Sequence, residues 1–220
     1  MDHHNHVHSL NEDIEKIMMP SIQPFNWEHK DKIICKPILN YGDAVGQQFP
    51  LLTIGMDKPE QFEPLQKTPN NEKFYELFHK AAMKNISSVE IPTQEFNAED
   101  FKVIIVAGNY YAAEKIFDKE FMKEIQKKNG YDMLAVSLPR KGTMYMTNGI
   151  LQPESLRKFM AFTEMKFRED EKTKPISKLI FIVQDGEISG IIQPKLLDKN
   201  NPKENSDKKK KSFWNKLFGK

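Results

Sequence analysis

The sequence predicts an α+β fold: one domain with a mixed, largely antiparallel sheet and about four helices, followed by a disordered basic C-terminal tail. Three observations support it. Strand-like apolar runs alternate with helix-periodic stretches across 9–198. Pro-Gly and Asp-Gly turn signals join strand pairs rather than crossovers. After Leu197 the chain turns polar and then runs into lysines. The implied organisation is a histidine-dense disordered leader (1–8), the α+β domain (9–198), and a flexible linker with a basic aromatic tail (199–220).

The elements follow in order. Ser9 to Glu12 reads as a capping box, and Leu10, Ile14, Ile17 and Met18 follow at helical spacing until Pro20 stops the helix. Ile33 to Leu39 is a candidate strand, with Pro37 marking an edge. Phe49 to Met56 is a second strand, ending at Asp57. A connection holding Pro59, Pro64 and Pro69 leads to a helix capped by Asn70 or Asn71, with Phe74, Leu77, Phe78 and Ala81 on one face. Phe101 to Ala107 has the unbroken apolar character of a strand buried on both faces. Gly108-Asn109-Tyr110-Tyr111 then opens a helical stretch through Ile116, Phe121 and Ile125 that Asn129-Gly130 ends. Met133 to Leu138 and Thr143 to Thr147 are strands joined by Pro139-Arg140-Lys141-Gly142. Pro153 starts a helix carrying Leu156, Phe159, Met160, Thr163 and Phe167. Leu179 to Val183 and Glu187 to Ile192 flank Asp185-Gly186, a two-residue hairpin signal.

Composition narrows the function classes. The 220 residues carry a net charge of +2, unevenly spread. From Lys203 onward seven lysines face Glu204 and Asp207, which leaves 26 basic and 29 acidic residues in the body. A mildly acidic body has no nucleic-acid footprint, and no nucleic-acid partner is expected. Cys35 is the only cysteine, so an intramolecular disulfide and a cysteine zinc site are both excluded. No signal-peptide core and no run of 18 apolar residues occurs, which points to a reducing cytoplasm. His3, His4, His6 and His8 read as part of a disordered leader rather than a working metal site, since no acidic or cysteine ligands join them at a metal-binding spacing. No metal and no cofactor is expected.

The tail is the clearest functional signal. Lys208, Lys209, Lys210 and Lys211 run into Phe213, Trp214, Leu217 and Phe218. On a helical wheel with Phe213 at zero, Leu217 falls at about 40°, Trp214 at about 100° and Phe218 at about 140°. Lys216 and Lys220 fall opposite, the pattern of an interfacial helix. So short a segment folds on contact rather than alone. Each lysine near an anionic leaflet contributes roughly 1 kcal/mol, which gives reversible docking on the inner face of the plasma membrane. A groove on a protein partner is the alternative surface.

Three segments carry a resemblance. They are Phe49 to Asp57, a strand ending in Asp; Leu77 to Ile86, a helix ending in an Asn-apolar pair; and Met133 to Arg140, a strand running into Pro and a basic turn. In these the chain resembles the DUF1444 or YtpQ-like family of bacterial proteins of unknown function, over roughly residues 33–192. The leader and the tail stand outside that resemblance. It implies no established activity and no catalytic residues.

Within the body, no GxSxG, HExxH or phosphate-binding glycine motif occurs. Arg140 and Lys141 on their turn suit an anion contact or a solvated turn. Asp57 and Asn85 each end an element, facing a shared cleft or merely turning the chain. Tyr110 follows the central strand, where α/β proteins often place ligands. His79 lies within an amphipathic helix and Cys35 beside Lys36; both read as structural. The expectation is a non-enzymatic binding or adaptor module, docked reversibly through its tail, with a protein partner for the body. The alternatives are a small-ligand binder or enzyme using Asp57, Asn85, Tyr110 and Arg140, and a toxin-neutralising protein facing a basic partner.

Overall fold

The computed structural model describes residues 11–39, 48–98, 101–169 and 172–192. Both the leader and the lysine-aromatic tail lie outside these residues. The described chain is α+β with four α-helices and two sheets, antiparallel at every pairing. The single mixed sheet of the sequence expectation is thus divided in two.

The first sheet is built early in the chain. Helix α1 (Glu12–Ile17) leads directly into strand β1 (Met18–Gln23). β3 (Leu51–Asp57) pairs with β1, with β2 (Cys35–Pro37) and with β4 (Phe62–Pro64). Helix α2 (Pro69–Ser88) packs Tyr75, Ala81 and Ala82 against Met18, Leu52 and Ile54 of this sheet.

Here the structure corrects the helix expected to run on to Pro20. It ends at Ile17, and Pro20 lies inside β1 opposite Ile54. The reason is the edge. Met18 and Ile22 turn their backbone polar groups away from β3, toward Asn85 and Glu114 respectively, so Pro20 between them also faces outward. A missing N–H there breaks no ladder bond. The cap of α2 is also corrected: Thr68, not Asn70 or Asn71, caps it, its hydroxyl accepting the Asn71 N–H at 3.3 Å, with Pro69 in the first turn.

The second sheet has six strands. β5 (Thr93–Ala98), β6 (Phe101–Ala107), β7 (Met133–Ser137), β8 (Thr143–Asn148), β9 (Ile180–Gln184) and β10 (Glu187–Ile192) lie in the order β10-β9-β7-β8-β6-β5. β5 was not expected: Thr93-Gln94-Glu95-Phe96-Asn97 is too polar to read as a strand, and it lies at the sheet's edge. The period of two then assigns the faces. Ile104, Val106, Leu134, Val136, Met144, Met146, Phe181 and Val183 point to one core, with Met122 and Ile125 of α3 (Lys119–Asn129). Val103, Ala135, Tyr145 and Ile180 point to the other, beneath Phe159, Met160 and Phe162 of α4 (Pro153–Arg168). Asp185 and Gly186 both have positive φ, as the two-residue hairpin between β9 and β10 requires.

A 3-10 segment (Ala113–Phe117) joins the two halves. The helix expected to start after Tyr111 is broken there, because Asp118 caps α3 through the Phe121 N–H. Lys115 is buried beside it, donating to Asp118 at 2.5 Å and to the Ile86 carbonyl at the end of α2. Ile22 of β1 joins the core of the second sheet, so the two sheets share packing.

Candidate functional site

An open groove of about 1570 Å³ is lined from both halves of the molecule. Three features bring its residues together. β3 ends at Asp57 and turns into β4. Gly108, at a φ of +89°, swings the chain out of β6. The Asn109 carboxamide oxygen then accepts the Tyr111 N–H at 2.8 Å, which fixes the loop that presents Tyr110 and Tyr111.

Of the four residues singled out in the body, Asp57, Asn85 and Tyr110 line this groove and Arg140 does not. Asn85 is already committed. Its amide donates to the Glu15 carbonyl at 2.7 Å and the Met18 carbonyl at 2.8 Å, holding α1 and β1 onto α2. Arg140 is turned inward at 7% exposure. It donates to the Phe167 carbonyl and to both oxygens of Thr173, tying the end of α4 to the strand pair below. Arg140 thus commits hydrogen bonds to the carbonyls that close the end of α4. Its neighbour Lys141 is the one that enters the groove.

Lys141 is the centre of the site. Its ammonium donates to Ser21 Oγ at 2.8 Å and to Glu114 Oε1. It also lies 4.3 Å from the centre of the Tyr110 ring and 5.9 Å from that of Tyr111. The two rings meet edge to face at 5.1 Å, which forms an aromatic corner around the cation. Glu114 is fully buried, and the same Oε1 accepts the Ile22 N–H at 2.7 Å. Its other oxygen, Oε2, is buried without a hydrogen-bond partner.

The electrostatics follow from burial. Burial pulls the Lys141 pKa below the ordinary lysine value, although Glu114 works against that shift. Burial also raises Tyr110 and Tyr111, and the Glu114 and Asp57 carboxylates push in the same direction. The Tyr111 hydroxyl finds no partner at hydrogen-bond geometry, even though Asp57 lies close enough to influence it.

Sequence reasoning passed over Glu114 and Ser21. The signal for Glu114 was its setting: an acid within Tyr110-Tyr111-Ala112-Ala113, Ile116 and Phe117 lies in an apolar segment that must be buried. For Ser21 no sequence signal existed. Cys35 and His79 lie outside the groove. Among the described residues no cluster of histidine, cysteine and acids could hold a metal ion, and no helix is long and apolar enough to cross a membrane. The chain matches no family model, no curated protein and no solved structure.

Proposed function

We propose that this chain is a binding module with two working parts: a body that recognises a partner in the groove, and a tail that docks reversibly on an anionic membrane surface. The observation that carries the first part is the convergence of Asp57, Tyr110, Tyr111 and Lys141 on one groove. These residues combine aromatic faces, a carboxylate and an ammonium, the mixture that recognition sites use. Trp27 adds a further ring to its lining. The second part rests on Lys208 to Lys211 and the four apolar residues that follow them.

Vesicle co-sedimentation tests the tail. The whole chain and a chain ending at Leu197 are compared on anionic and neutral vesicles at low and high salt. The expected result is sedimentation only for the whole chain, with anionic lipid and at low salt, since polybasic attraction is screened within a Debye length. Equal behaviour of the two chains removes the membrane and leaves a protein groove as the tail's target. Membership of the YtpQ-like family over 33–192 belongs to the same proposal, on the three segments quoted above, and it assigns no activity.

A further inference from the structure

We infer that Lys141 is a carbonyl-capturing lysine: its amine forms a reversible imine with an aldehyde or ketone bearing a carboxylate or phosphate. The inference rests on the groove reading for access, and it adds a covalent mode of binding.

Four observations point there. Lys141 is among the residues that line the groove, with 7% of its surface exposed. Its nitrogen has a proton acceptor in direct contact, Glu114. The carboxylate beside it is only half used: Glu114 Oε2 is buried without a hydrogen-bond partner. It suits the hydroxyl of an addition intermediate, which can donate to it. Finally, Lys172 and Lys174 line the same groove. They supply the charge that would attract an anionic substituent. The half-exposed Tyr110 covers the nitrogen, so rotation of that ring uncovers it.

The step balances. The ammonium passes a proton to Glu114, leaving a neutral amine. Its lone pair attacks the carbonyl carbon and forms the C–N bond, while the carbonyl π electrons move to oxygen. The nitrogen's surplus proton transfers to that oxygen, giving a carbinolamine. Glu114 returns its proton to the hydroxyl, the C–O bond breaks, and water leaves. The product is a protonated imine still paired with the Glu114 carboxylate, so the buried charges are matched before and after. Burial of Lys141, which favours the neutral amine, assists the first transfer.

The test is reductive trapping. The full chain is incubated with glyoxylate and cyanoborohydride, and carboxymethyl-lysine is located by peptide mass mapping. The chain with Tyr110→Ala is treated in parallel, its folding checked by circular dichroism. Lys141 is expected to be modified about tenfold more than the exposed Lys172 and Lys174, the preference of a lysine activated by its pocket. Such a preference in either chain supports the inference. Lys141 modified no more than Lys172 and Lys174 in both chains overturns it and leaves Glu114–Lys141 a structural pair. The vesicle readout is independent of this outcome.

Discussion

Glu114 and Lys141 each give up hydration on burial, and they hold their place only through one another and through Ser21 and Ile22. Removing one partner leaves the other charge stranded. Lys141→Met is therefore expected to lower unfolding stability by about 3–5 kcal/mol, read as a shift of the urea midpoint. Adding Glu114→Gln to that chain should restore most of the loss, because Gln still accepts the Ile22 N–H and carries no charge. His79 gives the pH counterpart. Burial holds its pKa below the ordinary 6.5, beside the Tyr75 ring at 5.9 Å. The folded state thus favours neutral imidazole. Above about pH 6.5 both states are neutral and stability is full; as pH falls below that value the unfolded state takes up the proton first and stability declines. His79→Phe should flatten this decline between pH 7.5 and 5, measured by urea midpoints; an unchanged slope refutes the assignment.

At the scale of elements, Gly55 decides how closely β4 flanks β3. A Cβ at Gly55 would collide with the backbone of Glu63 and Pro64 and with the Phe62 ring. Gly55→Ala should cost about 1–3 kcal/mol and disturb the β3–β4 turn that carries Asp57 to the groove, visible as weaker amide protection across residues 55–64. Elements with strong local signals were legible in the sequence: β6 from Val103 to Val106, the Asp185-Gly186 hairpin, and the Gly130 stop of α3 with its left-handed φ of +65°. Elements set by tertiary partners were not. The start of β1 reads as the end of a helix that Pro20 stops, because Ile14, Ile17 and Met18 are helix-spaced, whereas Asn85 and Glu114 at its outer edge make Pro20 tolerable in a strand. The candidate site was half legible for the same reason. Tyr110 and Asp57 stand at chemically conspicuous turns, whereas the choice of Lys141 over Arg140 depends on which of two equally buried neighbours the fold directs toward Glu114 and the groove lining.

For the whole molecule, the question is whether two sheets make one cooperative unit. Ile22 lies in the second sheet's core, and Ser21, Glu114 and Lys141 bridge the halves through charge-assisted bonds. A single unfolding transition is expected. In a Trp214→Phe chain, Trp27 fluorescence reports the first half and far-ultraviolet circular dichroism the whole; the two urea curves should coincide, and separated midpoints would reveal independently stable halves. The same bridge has a consequence for biosynthesis. Ser21 and Lys141 are separated by 120 residues. At ribosomal speeds of about 5–20 residues per second, the lysine follows the serine after about 6–24 s. Throughout that interval the outer edge of β1 lacks the Ile22–Glu114–Lys141 closure, and nascent chains are most exposed to chaperones, or to strand pairing with one another, before residue 141 leaves the tunnel.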